Sequence, residues 1–125
     1  MIRQLGSFFA AVAIATVPAL AAHAAGDAAA GKAKYDMFCA TCHGPAGVGD
    51  GPAAPPDPKP RDFSKAEFKY DADKDGKAGG EGDLALIIKN GAAAYGGSPL
   101  MVGWGAALSE ADVQNVIAYV HSLKK

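Results

Sequence analysis

The sequence predicts an all-α fold of three to four helices joined by long loops. Three observations predict it. Helix formers and apolar residues recur at helical spacing in three stretches, each behind an Asp or Ser able to cap it. No stretch alternates apolar and polar residues as a half-buried strand does. Finally, the first helical stretch runs straight into Cys39-Ala40-Thr41-Cys42-His43, and a stretch dense in Gly and Pro follows.

The C-x-x-C-H spacing is an attachment signature for a c-type haem. Positions i and i+3 of one helical turn share a side. Cys39 and Cys42 can therefore both reach one edge of a flat macrocycle and form thioethers with its two vinyl groups. His43 follows at once, which brings its imidazole under the iron as an axial ligand. A dithiol pair would not need the His. Zinc would need further soft ligands, and the chain has no other Cys. Buried structural thiols would not need an export signal. The sequence thus predicts one covalent haem c as the centre of the fold.

With 125 residues the chain has room for one domain. Twelve Lys and Arg against 13 Asp and Glu, with no basic run, exclude a nucleic-acid binder. Residues 1–24 read as a secretory signal peptide. Arg3 supplies a positive start, Phe8 to Leu20 is an apolar run broken only by Thr16 and Pro18, and Ala22-His23-Ala24 is an A-x-A cleavage site. The run is shorter than the ~20 residues of a spanning helix. The mature domain is then 25–125, exported to the periplasm without stable membrane insertion. A chain this short has a marginal protein core, so a buried haem supplies the missing apolar centre and the apo chain should fold poorly.

Taking the elements in order, Asp27 caps a helix that runs through Ala28-Ala29-Ala30 to about Phe38. Gly31 inside it costs about 1 kcal/mol against Ala, which marks a close crossing. Tyr35 lies on the same face and Phe38 is a core candidate. Residues 44–60, with four Gly and six Pro, form a loop that can wrap the proximal side of the haem. A carbonyl there, at Pro58, is the candidate acceptor for the second N–H of His43, and Arg61 reads as a surface residue. Asp71, Asp73, Asp75 and Gly76 match the start of a calcium loop, D-x-D-x-D-G. Ala78 and Gly82 then stand where an aliphatic residue and a bidentate Glu belong. A solvated acidic loop is the first reading and calcium the second. Asp83 is placed to cap a helix over Leu84 to Asn90, with Leu84, Ile87 and Ile88 as its apolar face and Asn90-Gly91 as its stop. A Gly-rich loop, 91–104, follows. Ser109 and Asp112 form an approximate capping box before the stripe Val113, Val116, Ile117, Val120 and Leu123.

His43 leaves one axial position on the iron. Met1 leaves with the leader, and Met37 is on backbone committed to the proximal attachment. Met101, 58 residues beyond His43 in a loop stiffened by Pro99, is the candidate ligand. His121, at the margin of the last apolar stripe, is its rival. Trp104 and Tyr95 are expected near the haem rim.

At this point the chain resembles the small monohaem class I cytochromes c of the bacterial periplasm. The resemblance rests on Gly31-Lys32-Ala33-Lys34-Tyr35 leading into the haem motif, on Met101 in a late loop, and on Val116-Ile117-Ala118-Tyr119-Val120. It implies an all-α cytochrome c fold in which a Gly and an aromatic of the first helix cross the last helix. It also implies a non-enzymatic electron carrier between redox protein donors and acceptors of a respiratory or dehydrogenase chain. The alternatives are a haem peroxidase or gas sensor with a labile Met ligand, or a fixed subunit of a larger oxidoreductase. Intact mass should show a chain starting at Ala25 plus one haem. Haem extracted by acidified solvent would rule out the thioethers.

Overall fold

The computed structural model describes residues 25–125; the expected leader, residues 1–24, lies outside them. Four α-helices follow in order: α1 (Ala28–Phe38), α2 (Ala40–His43), α3 (Glu81–Asn90) and α4 (Glu110–Ser122). Two short 3-10 turns, Phe63–Lys65 and Ala92–Tyr95, interrupt the long loops. There is no strand among the described residues. No helix among them is long and apolar enough to cross a membrane.

The outer helices start where their caps put them. The Asp27 carboxylate accepts from the main-chain N–H groups of Ala29 (2.8 Å) and Ala30 (3.2 Å), a contact worth about 1 kcal/mol. Ser109 and Asp112 cap α4 reciprocally, each accepting the other's main-chain N–H at 3.1 Å. The expected stripe of α4 is buried at Val113, Val116, Ile117 and Val120.

α1 crosses α4 at Gly31. A β-carbon there would run into the Asn115 carbonyl and the Val116 nitrogen. The Asp27 N–H donates to the Asn115 side chain at 2.8 Å, tying the start of α1 to the same site. One turn on, fully buried Tyr35 meets Tyr119 edge to face, with ring centroids 5.0 Å apart. Leu84, Ala85 and Ile88 of α3 and Leu108 complete the core.

α3 departs from expectation at its start. It begins at Glu81 with Gly80 as the N-cap, and Asp83 is its third residue rather than its cap. The Asp83 carboxylate reaches back to the Gly80 N–H at 3.0 Å, the second half of a capping box. The buried face also turns: Ala85 is buried, while Ile87 is only half-buried. After the loop of 91–104 the chain returns onto the end of α3, with the Trp104 N–H donating to the Ile88 carbonyl at 2.7 Å.

Gly31→Ala tests the crossing. The change favours the isolated helix by about 1 kcal/mol but pushes a methyl into backbone, and overpacking of that kind costs about 1–3 kcal/mol. The thermal midpoint of the holoprotein should therefore fall by several degrees. A rise would mean that the helices can part without loss.

Candidate functional site

α1 delivers the C-x-x-C-H turn. The Cys39 N–H still donates to the Tyr35 carbonyl at 2.8 Å, so α1 ends only as α2 begins. The N–H groups of Cys42 and His43 return to the Cys39 carbonyl at 3.2 and 2.9 Å. Two thiols and one imidazole thus stand on a single helical turn, as their spacing predicts.

The loop of 44–60 wraps that turn backbone to backbone. Gly49 donates to the His43 carbonyl (2.8 Å), Gly51 to that of Cys42 (3.0 Å) and Ala53 to that of Thr41 (2.9 Å). From the other side the Tyr35 hydroxyl donates to the Gly44 carbonyl at 2.7 Å. Burial raises the pKa of that hydroxyl, so it stays protonated and remains a donor.

The chemistry of the three side chains follows from their burial. Both Cys are free and half-buried. Burial pushes the Cys39 thiol up to about 11, so it is uncharged at neutral pH. Burial lowers the pKa of His43 below its ordinary value, against an opposing effect of the Arg61 backbone. The imidazole is therefore neutral, the form that binds metal. Its Nδ1 is buried, and the hydrogen-bonding group beside the ring is the Arg61 backbone. The backbone beside the ring is that of Arg61, not of Pro58, which is exposed in the outer part of the loop. Phe63 stacks on the His43 ring, with centroids 4.6 Å apart and planes 20° from parallel. Two thiols one turn apart and a neutral imidazole fit the donor set of a covalent haem.

The other expected residues fall as follows. Met101 is half-buried in the late loop. Its carbonyl accepts from the Ala92 N–H at 3.0 Å and its N–H donates to the Ser98 carbonyl at 3.2 Å. Met37 is 68% exposed, and Arg61 is exposed as expected. His121 is exposed at the end of α4, where a ring nitrogen meets the Gly79 carbonyl at 3.1 Å. Trp104 tilts against Phe38 with centroids 5.2 Å apart, and the Tyr95 hydroxyl accepts from the Asn90 side chain at 2.7 Å.

The acidic loop folds on itself. Asp71 accepts from the N–H groups of Asp75 (3.0 Å) and Gly76 (2.9 Å), and Asp75 from that of Lys77 (2.8 Å). The carboxylates that approach one another are Asp71, Asp73 and Asp83, with oxygens within 4.8 Å; Asp75 is not among them. Asp83 is fully buried and holds the loop onto α3, accepting from Ala72 (2.5 Å), Asp73 (3.1 Å) and Gly80 (3.0 Å).

Two residues escaped sequence reasoning: Phe63 and Asp83 in this clamping role. Both act across long loops, where no periodicity marks them. An Asp three residues into a helix behind Gly80 was the available signal for the second.

Comparison with known proteins gives consistent findings. Residues 28–124 match the family model described as Cytochrome c. The chain is 39% identical over 102 residues to cytochrome c-554(547) of Halothiobacillus neapolitanus, covering 80% of this chain and all of that protein. It is 32% identical over 105 residues to the Cbb3-type cytochrome c oxidase subunit CcoP of Azospirillum sp. (strain B510), covering 79% of this chain and 29% of that subunit.

The Asp83 clamp yields a pH dependence. Burial alone would raise its pKa, but the N–H donors of Asp73, Gly80, Ala72 and Gly79 together bring it below the ordinary value. A lowered folded pKa stabilises above the unfolded value of about 3.9 and is lost as pH falls through the folded one. Asp83→Asn should cost about 1–3 kcal/mol at neutral pH. The gap in thermal midpoint between wild type and variant should close below about pH 4. A gap independent of pH would remove the carboxylate charge from the argument.

Proposed function

Because the chain belongs to the cytochrome c family and is an electron-transfer protein with covalent haem c, we propose that it carries one electron at a time on a single haem. Cys39 and Cys42 attach it, and His43 and Met101 are the axial ligands. The observation that carries this reading is the helical turn bearing two thiols and a neutral imidazole. The haem supplies an iron that alternates between ferric and ferrous states. Cys39 and Cys42 fix its position, so that His43 binds from a backbone already held on both sides. Met101 offers a neutral, soft sulfur, which favours the ferrous state.

Two protein ligands leave no open iron position, which makes the molecule a carrier rather than a peroxidase or gas sensor. A free carrier is also favoured over a fixed subunit. The match to cytochrome c-554(547) spans that whole protein, whereas the oxidase subunit is matched over 29% of its length. The proposal includes export to the periplasm, supported by the leader pattern of residues 1–24. Redox proteins of a respiratory or dehydrogenase chain are then the donors and acceptors. The acidic loop is assigned no part in it: the oxygens of Asp71, Asp73 and Asp75 accept main-chain N–H groups, as a solvated acidic loop does on its own.

Met101→Ala is the decisive variant. The oxidised wild type should show the weak near-infrared sulfur-to-iron band, and the reduced wild type should ignore carbon monoxide. The variant should lose the band, lower the potential and bind carbon monoxide, with haem still attached. Rapid carbon monoxide binding by the wild type at neutral pH would overturn the closed-site reading.

A further inference from the structure

We infer that the C-terminal end of α3 aims the distal ligand: Gly91 and Gly103 are positioning residues that let the backbone around Met101 lie directly on that helix end. This rests on the reading of Met101 as an axial ligand. The order of the loop then comes from its stem on α3, not from the stiffness of Pro99.

A helix ends with carbonyls that have no partner inside it. In α3 most of these are met by the chain that returns after Met101. The Trp104 N–H donates to the Ile88 carbonyl at 2.7 Å, and the Gly105 N–H to that of Lys89 at 3.1 Å. Gly103 is what admits this approach. A β-carbon there would lie 2.5 Å from the Lys89 carbonyl oxygen and 2.7 Å from the Asn90 carbonyl carbon. Both are backbone atoms, so no side chain can swing aside to make room.

Gly91 closes the other side. Its φ of +84° lies in the left-handed range that favours glycine. A β-carbon there would lie 2.9 Å from the Met101 carbonyl oxygen and 3.0 Å from the Gly103 nitrogen. Beside it the Ala92 N–H donates to the same Met101 carbonyl at 3.0 Å. Met101 is thus bracketed: its own carbonyl and the peptide two residues on both touch the end of α3. Pro99 and Leu100, at the tip of the loop, are exposed.

The helix end is itself a fixed reference. Leu84, Ala85 and Ile88 are buried in the core, and Lys89 bridges to Glu110 at the start of α4 at 3.1 Å. Trp104 also packs on Phe38, next to Cys39, with centroids 5.2 Å apart. The residue after Gly103 therefore ties the loop to the helix that carries the attachment turn, and both ligands are placed against one frame. A sulfur reaches iron only while its backbone is held at the right distance. Lifting the stem off α3 lowers the fraction of molecules with the sulfur in place and leaves the haem attachment alone.

The test compares holoproteins of wild type, Gly103→Ala, Pro99→Ala and Gly31→Ala. Three signals are read: the near-infrared sulfur-to-iron band of the oxidised protein, carbon monoxide binding by the reduced protein, and the potential. Gly103→Ala should weaken or lose the band, bind carbon monoxide and lower the potential. Pro99→Ala should keep wild-type values in all three. Gly31→Ala destabilises the fold at another crossing and should keep them too, which separates a misplaced sulfur from a weaker fold. If Gly103→Ala lowers only the thermal midpoint, or if Gly31→Ala moves the signals as much, Gly103 is packing only and the inference falls. Loss of the band in Pro99→Ala but not in Gly103→Ala would give the aim to the loop tip and overturn it as well.

Should Gly103→Ala fail to mature, hydrogen exchange on oxidised wild type decides. Added imidazole takes the place of the sulfur on the iron. The Trp104 and Gly105 amides should stay protected, because α3 holds the stem with or without the ligand. If they lose protection together with the sulfur, the iron holds the loop and the inference is wrong. A wild type lacking the near-infrared band would instead refute Met101 as a ligand, before any variant is made.

Discussion

Backbone meets backbone where α1 crosses α4, and the site depends on that contact. With no β-carbon at Gly31, α1 lies directly on the Asn115–Val116 peptide. That depth buries Tyr35 completely and puts its hydroxyl on the Gly44 carbonyl, one residue past His43. The end of α1 then passes its last hydrogen bond to Cys39. The position of the attachment turn is thus set by a helix crossing some two turns upstream, through hydrogen bonds that leave little slack.

Burial does the chemical work in the same place. It keeps the Cys39 thiol and the His43 imidazole uncharged, so bringing the turn into the interior avoids the large cost of burying ions. The loop of 44–60 makes this possible without regular structure. Its Gly residues let N–H groups approach the carbonyls of Thr41, Cys42 and His43, which would otherwise be unpaired ends of a four-residue helix.

Helices were legible in the sequence because caps and stripes are local signals. Asp27, Ser109 with Asp112, and Asn90-Gly91 each mark a boundary that the structure keeps. The attachment turn was legible for the same reason: its three functional residues lie within five positions. Reading failed where the partner was distant in sequence. Asp83 was read as a cap for its own helix, yet its carboxylate also holds Ala72 and Asp73, some ten residues upstream. Pro58 was named as the candidate acceptor and the Arg61 backbone was not, because no periodicity reports how far a proline-rich loop travels before it meets the ring. The stack of Phe63 on His43 joins residues twenty apart through turns that only the fold brings together.

The two sides of the proposed iron site are held by different physics. On the proximal side His43 is gripped by a helical turn, a wrapped loop, a buried tyrosine hydroxyl and an aromatic face. On the other side Met101 rides on a Gly-rich loop that two main-chain hydrogen bonds tie to Ala92 and Ser98. Its neighbours Leu100 and Val102 are 62% and 52% exposed. A segment with few buried contacts opens at lower free energy than the core does. Loss of a ligand under stress should therefore begin at Met101, while His43 and the covalent attachment persist. With His43 and Met101 as the proposed ligands, this asymmetry would suit a carrier: the proximal side would keep its geometry while the Met101 contact adjusts.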